Sequence, residues 1–422
     1  MTKAGKIPVY GGNGVTGYHD AHNVTEPTLV IGRVGFYCGS IHLTPDRAWV
    51  TDNAFVTTFP DDAIDIEFLY WLLKATNLRE NDNATAQPVI SGKKVYPTIV
   101  ALPPLSEQKR IVSKVTELLG LCDELAARQA ARREARSALV GATLDRLVSA
   151  RSAAEFPAHA HRLRDHFDRL FDTPTTLPQL RQAILQLAVQ GQLVPQDPND
   201  EPASVLIEQI AKFRQDAGGR ATKTKLLASD TAGVPLCQGW VAARFGDIMV
   251  NRDGERIPVS REIRDGRKGP YDYYGASGVI DCIDEFLFDK PLLLIGEDGA
   301  NLINRSTPIA FIAQGKYWVN NHAHVLDGIS LDFLRYIELF INAIDLKPYV
   351  TGTAQPKMNQ AKMNSIPIAL PPLSEQKRIV SKVTELLSLC DALEAKLTQA
   401  ESASTQLLSA AVHHLHSATT SI

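Results

Sequence analysis

The chain has 422 residues, 44% of them hydrophobic and 22% charged, enough apolar content for more than one globular core. At roughly 100–200 residues per domain, two to four domains are expected. Net charge is −3, which excludes a globally basic surface, so any nucleic-acid contact must be local. Five cysteines, Cys38, Cys122, Cys237, Cys282 and Cys390, form no CxxC pair and are odd in number, which points to a reduced, cytoplasmic chain. The N-terminus lacks the apolar core of a signal peptide, and no run approaches the ~20 residues needed to span a bilayer, so no membrane role is expected.

In chain order, residues 1–103 are strand-rich with glycine turns and one short helix near 65–76. Residues 104–150 form a long helix, 151–235 a helical lead and linker, 236–371 a second strand-rich domain with a helix near 330–342, and 372–422 a second long helix. In the lead, LPQLRQAILQLAVQGQLV has helical spacing with Gly191 as a stop, and 203–215 is a further helix. The stretch 217–233 reads as a flexible basic linker, and GWVAARFGDIMV as the first strand-like stretch of the second domain. The fold class is therefore α+β: two strand-rich domains separated by long helices expected to pair as an antiparallel coiled coil.

An internal repeat organises this order. LPPLSEQKRIVSKVTELL occurs at 102–119 and again, unchanged, at 370–387. Upstream the copies match weakly: Tyr10–Val15 with Tyr274–Val279, Leu29–Gly32 with Leu293–Gly296, Trp49-Val50 with Trp318-Val319, Phe68-Leu69 with Phe333-Leu334, and Thr85–Pro88 with Thr353–Pro356. Each unit is thus a divergent domain followed by a constant helix. Pro103-Pro104 and Pro371-Pro372 stiffen the entry, with Ser106 and Ser374 placed as N-caps. The 4-3 spacing puts Ile111, Val115, Leu118, Cys122 and Leu125 on one seam, and Ile379, Val383, Leu386, Cys390, Leu393 and Leu397 on the other. Both seam cysteines read as small core residues.

Aromatic and glycine-flanked loops recur in both domains. On a nucleic-acid reading they offer Tyr10, Asn13 and Thr16 in the first copy and Tyr273, Tyr274 and Ser277 in the second. The segments before the helices add Thr85, Gln87, Lys93 and Lys94, then Thr353, Gln355, Lys357 and Asn359. Positive charge gathers in the opening of the second domain, where Arg264, Arg267 and Lys268 are candidates among interspersed carboxylates.

No catalytic, cofactor-binding or metal site is assigned. Gly12-x-Gly14-x-x-Gly17 has no preceding hydrophobic strand, there is no GxxxxGK[ST] loop, and His322 and His324 read as surface or structural. Glu297-Asp298 has Arg33-Val34 as its counterpart, so a shared catalytic role fails.

PPLSEQKRIV before a long helix, twice, together with LRQAILQLAVQGQLVPQDPNDEPASVL and GW…FGDI, resembles the specificity subunits of type I restriction–modification systems over nearly the whole chain. The resemblance implies target-recognition domains that each read half of a split double-stranded DNA sequence. It implies paired helices acting as a spacer, and docking of methyltransferase (modification) and helicase/nuclease (restriction) subunits. S-adenosylmethionine, ATP and Mg are then expected on those partners, with no chemistry in this chain. A coiled-coil scaffold with repeated ligand- or protein-binding domains is the alternative. Lys6-Ile7-Pro8 aligns with Lys268-Gly269-Pro270, so the first recognition domain is expected to be incomplete at its start, as in a truncated product or a domain completed by another fragment.

Overall fold

A computed structural model describes residues 5–35, 37–76, 78, 89–150, 154–217, 224–228, 236–352 and 355–419. It divides into two compact units, Met1–Arg133 and Glu134–Ile422. No helix of the described residues is long and apolar enough to cross a membrane. The chain is α+β, as its alternating patterns require.

In the first unit, β1 (Ile7–Gly11), β2 (Gly14–His19), β3 (Leu29–Gly32), β4 (Ile41–Leu43), β5 (Trp49–Val50) and β6 (Ala54–Thr57) form two three-stranded sheets, ordered β2-β1-β5 and β4-β3-β6. Gly14, at φ 84°, makes the tight β1–β2 turn that a residue with a Cβ would resist. All four residues of β3 are buried, which is why LVIG reads as a continuous apolar run. Helix α1 (Ile66–Ala75) starts at Asp65, whose carboxylate accepts from the amides of Glu67 and Phe68 at 3.0 Å each. It packs with β3 and β4 around Leu29, Ile31, Ile41 and Leu69. After the short α2 (Gly92–Val95), residues 98–104 are irregular and lead into α3 (Leu105–Ser149), which runs through the boundary between the units.

The second unit opens with α4 (Glu155–Asp165), α5 (Phe167–Leu170), α6 (Leu177–Val189) and α7 (Ala203–Asp216). The stretch 217–233 is largely outside the described residues, but within it β7 (Leu226–Leu227) adds an edge to β8 (Val241–Arg244). GWVAARFGDIMV is not one strand. It divides into β8, the helical turn α8 (Phe245–Ile248) and β9 (Val250–Asn251), because Phe245 and Ile248 turn into the core together. Then follow α9 (Arg261–Asp265), β10 (Tyr271–Gly275), β11 (Gly278–Ile283), β12 (Phe288–Asp289), β13 (Leu292–Gly296), α10 (Asn301–Asn304), β14 (Ala310–Ala313), β15 (Lys316–Val319), β16 (Ala323–Asp327), α11 (Leu331–Ala343), α12 (Gln360–Asn364), β17 (Pro367–Leu370) and α13 (Leu373–Thr419). Three sheets result, ordered β11-β10-β15-β12, β14-β13-β16-β9 and β17-β8-β7. Wholly buried β13 and β16 form the centre, and α11 lays Phe333, Ile337 and Ile341 against it.

The repeat is visible in backbone register. β1 pairs with β2 and β10 with β11, each with a bulge at the equivalent step, Val9/Tyr10 and Tyr273/Tyr274. β1 runs parallel to β5 with Tyr10 opposite Val50, and β10 runs parallel to β15 with Tyr274 opposite Val319.

Both long helices begin at the second proline. Pro104 and Pro372 carbonyls accept from Gln108 and Gln376 amides at 3.0 and 2.9 Å. Ser106 and Ser374 are therefore inside the first turn and are not the caps expected from sequence, because the proline before the leucine already ends the extended entry. The buried side chains of Gln108 and Gln376 instead donate to the Pro103 and Pro371 carbonyls, each at 2.8 Å. On α13 the seam residues Ile379, Val383 and Cys390 are buried, and Leu386, Leu393 and Leu397 half-buried, against a cluster that includes α6 and α11. On α3, Ile111, Leu118 and Leu125 are exposed and Val115 half-buried. Cys122 is exposed too, which corrects its reading as a core residue: the helix that covers the equivalent face of α13 has no counterpart among the described residues of the first unit.

Candidate nucleic-acid interface

In the second unit four loops meet at one end of the sheets. The β10–β11 turn approaches β13 so closely that a Cβ on Gly296 would lie 2.6 Å from the Ala276 carbonyl oxygen. The Asn320 amide donates to the Tyr274 carbonyl (3.1 Å), and the Glu297 amide to the His322 carbonyl (2.8 Å). The pre-helix segment closes the group, with the Met358 amide donating to the Glu297 carbonyl (2.9 Å) and Gly299 to Pro356 (3.0 Å).

The first unit makes the same joints. Thr51 donates to Tyr10 (2.9 Å), Arg33 to Asn53 (2.8 Å) and Ile90 to Arg33 (2.9 Å), at positions equivalent to Asn320, Glu297 and Met358. A Cβ on Gly32, the counterpart of Gly296, would meet the Gly12 carbonyl at 2.0 Å. Both copies thus present a common frame, held by backbone hydrogen bonds that are indifferent to side-chain identity.

Side chains on that frame differ. In the first unit Asn13, Arg33, Asn53 and Lys93 are exposed, and Arg33 lies over Phe55 at 5.4 Å. In the second, Ser277, Asn321, His322, Gln355 and Lys357 are exposed. His322 pairs with Asp298 at 2.8 Å, and Lys357 with Glu297 at 3.1 Å. Behind these, His324 stands where the first copy has Phe55, donating to Asp253 Oδ2 (2.6 Å) and to the Met358 carbonyl (2.9 Å). Two acceptors on one ring require the imidazolium. Burial lowers the ring's pKa, but the Asp253 carboxylate and Met358 carbonyl outweigh it, so the net direction is up. Arg256 completes the network on Glu297 at 3.1 Å, and Arg252 reaches the buried carboxylate of Asp327 at 2.7 Å.

The sequence-derived candidates distribute unevenly. Asn13, Ser277, Gln355 and Lys357 lie on the loop group, and Lys93 is exposed on α2 just after it. Thr16 is exposed on β2, with its hydroxyl donating to the Val9 carbonyl at 3.3 Å. Lys94 is half-buried on α2. Asn359 caps α12 by accepting from the Lys362 amide (2.9 Å). Tyr10 is buried and donates to the Leu43 carbonyl (3.4 Å), Tyr273 is core with its hydroxyl at Val259, and Tyr274 is half-buried against Phe311 and Tyr317. Thr85, Gln87 and Thr353 lie outside the described residues. Arg264, Arg267 and Lys268 are away from this loop group on α9 and the turn after it. Arg264 pairs with Asp281 (3.0 Å), Lys268 with Asp281 (2.5 Å), and Arg267 with Asp284 (2.9 Å) and Glu285 (2.7 Å). Their charge is already met by neighbours, and the Lys268 and Arg264 cations hold the Asp281 carboxyl well below the usual carboxylate range.

Sequence reasoning did not offer Arg33, Asn53 or Asn321 as candidates and read His322 as surface or structural. The signal was present: Trp49-Val50 and Trp318-Val319 align, and continuing three residues further reaches Asn53 and His322.

A model of the type I restriction modification DNA specificity domain matches residues 1–132 and again 238–401. The chain is 31% identical over 332 residues to the type I restriction enzyme EcoAI specificity subunit of Escherichia coli, covering 71% of this chain and 56% of that protein. It is 30% identical over 335 residues to the EcoEI specificity subunit of the same species, covering 72% and 56%. It therefore spans about half the length of the curated relatives it matches. Among solved structures, the HsdS subunit of Thermoanaerobacter tengcongensis aligns at 17% identity over 90% of this chain and 80% of that one, with a TM-score of 0.38.

Proposed function

This chain belongs to the type I restriction modification DNA specificity family, and we propose that it reads a bipartite double-stranded DNA target, one half with each loop group. The observation that carries the reading is the pair of loop groups: the same backbone joints in both units bear different exposed side chains. Divergent tips on a constant frame suit two modules that read different short sequences by side-chain contacts to base edges. Asn13 and Asn53 in one group, and Gln355 and Asn321 in the other, are amides able to donate and accept together, while Arg33, Lys93 and Lys357 supply local charge that a net −3 chain lacks globally.

On this reading the chain is a non-catalytic, cytoplasmic specificity subunit. Its long helices set the distance between half-sites and dock modification subunits, which methylate adenine with S-adenosylmethionine. ATP- and Mg-dependent restriction subunits join the same complex. The test is to exchange residues 236–371 for the equivalent domain of a relative, reconstitute with a modification subunit and map methylated adenines. One half of the target should change and the other persist. An unchanged target, or binding to duplex that ignores sequence at moderate salt, refutes the assignment.

A further inference from the structure

Both hairpins enter their loop group through the same irregularity. In the first, the register shift after Val9 sets Tyr10 opposite Val15 and leaves Thr16 as the extra residue. In the second, Tyr274 faces Val279 and Ile280 is the extra residue. A bulge re-aims the side chain that it carries. A glycine across each turn leaves that side chain room: a Cβ on Gly11 would lie 2.9 Å from Thr16 Cγ2, and one on Gly275 3.0 Å from Ile280 Cδ1. Neither bulge residue is covered. Ile280 is 53% exposed, and the adjoining Val279 and Val15 are 50% and 48% exposed. Thr16 is exposed with its hydroxyl taken up by the Val9 carbonyl at 3.3 Å, so what it has left to offer is a methyl group.

Around these positions the polar neighbours differ: Asn13 against Ser277, Arg33 against Glu297, Asn53 against His322. Branched residues suit a strand, but that gives no reason to keep valine at both exposed tips while the groups beside it change. Two side chains are far less apolar surface than the roughly few hundred Å² that marks a protein partner. They stand instead among amides and cations suited to base edges and phosphates. On base edges the apolar group is the thymine C5 methyl, and it projects into the major groove. That groove, about 12 Å wide, admits a two-stranded ribbon, which the minor groove, about 6 Å wide, does not.

We propose that Val15 with Thr16, and Val279 with Ile280, each contact the C5 methyl of a thymine in the major groove, one in each half of the target. The proposal rests on the reading of DNA by the loop groups and names part of its chemistry. The valine shared by both hairpins makes the same contact in both halves. The bulge residue sets how far the methyl is enclosed, with one methyl at Thr16 and a longer, wholly apolar chain at Ile280. Thymine and uracil present the same O4 acceptor, so the polar groups of the loops do not sense the methyl, whereas an apolar contact does. Removing one buried methyl should weaken binding by about three- to fivefold.

The test uses the full chain reconstituted with a modification subunit, once its target has been mapped by methylation and each half assigned by domain exchange. Duplexes carrying deoxyuridine in place of each target thymine in turn are competed against the parent duplex. The expected result is one position in each half where deoxyuridine weakens binding by about three- to fivefold. In the double variant Val279→Ala, Ile280→Ala that penalty should vanish from the half read by the second domain and persist in the other, which also shows that the protein is folded. Val15→Ala with Thr16→Ser should do the reverse. Where a double variant binds too weakly to compare, the valine substitution alone is read in the same way. Target-specific binding without any deoxyuridine penalty, or a half-site without a thymine, overturns the inference and leaves the DNA reading standing. A penalty unchanged in both variants gives the methyl to another group and overturns it too. Binding by the parent that ignores sequence sinks the DNA reading itself, and the inference with it.

Discussion

His324 Nδ1 donates to Asp253 Oδ2 at 2.6 Å, and the partner comes from the turn after β9, an element without a counterpart among the described residues of the first unit. The charged pair therefore belongs to the segment that completes the second domain, and Phe55 with Arg33 above it replaces it in the first.

Removing one member of a buried pair strands the other. His324→Gln should cost roughly 3–5 kcal/mol, measured by denaturant unfolding near pH 6. The sign of the pH effect follows from the raised value. Stability from the imidazolium is fully present below the ordinary histidine value of 6.5 and is lost as pH rises through the folded value. The variant should lose that part of the pH slope; an unchanged slope would show that the ring is neutral in the folded protein.

Glu338 on α11 gives a second pH dependence over a lower window. Burial pushes its carboxyl up to about 7, against the pull of Arg335 and a hydrogen bond from the Ile312 amide. Between 4.5 and about 7 the folded chain holds a proton that the unfolded chain has released, so stability falls across that range and is level above it. Glu338→Gln keeps an acceptor for the Ile312 amide and removes the ionisation. It should stabilise the protein at pH 8 by up to about 3 kcal/mol and leave it unchanged below pH ~4.5. Equal stability of the two proteins at pH 8 would contradict a perturbed Glu338.

The close approaches at Gly32 and Gly296 tie each hairpin tip to its central strand. Adding a Cβ at 2.0 or 2.6 Å from a backbone carbonyl forces the tip away. Gly296→Ala should cost about 2 kcal/mol or more and abolish discrimination in one half of the DNA target, while Gly32→Ala does the same to the other half. Methylation mapping separates the two effects; loss of both halves from a single substitution would mean that the alanine acts through global unfolding.

Much of this was legible in the residues, and the losses have physical causes. Pattern located α1, α7 and α11 to within a residue or two, because each combines an apolar stripe with a short, bounded segment. The repeat located the frame, since shared register at Tyr10 and Tyr274 survives where side chains diverge. Spacing could not say what covers a seam: one identical stretch is buried at Ile379 and exposed at Ile111, a difference made by residues 177–244 in space. Nor could it separate Asn13 and Ser277 at a hairpin tip from Tyr273 in the core beside them, because strand twist and bulge decide which face a residue takes. The pairing of the basic run was hidden for a related reason: its carboxylate partners, Asp281, Asp284 and Glu285, lie on the strand and turn that fold back onto it.

Asp281 accepts from Arg264, Lys268 and the Cys282 amide, so a single carboxylate neutralises two cations beside β11. Asp281→Asn removes the charge and leaves the shape. Arg264 keeps its bond to the Val259 carbonyl and its place over the Tyr273 ring, so it should stay put, while Lys268 keeps only its longer pair with Asp265 at 3.4 Å and is loosened. A loosened lysine that exchanges Asp265 for a phosphate releases up to about one counterion, so non-specific duplex binding should tighten at low salt and its log–log salt slope should steepen by up to about 1. Sequence preference, carried by the loop groups, should be untouched. Anisotropy titrations of the parent and variant against a random duplex, over a range of salt, decide the matter. An identical slope would place the α9 face away from DNA, and an altered target preference would move the reading surface toward it.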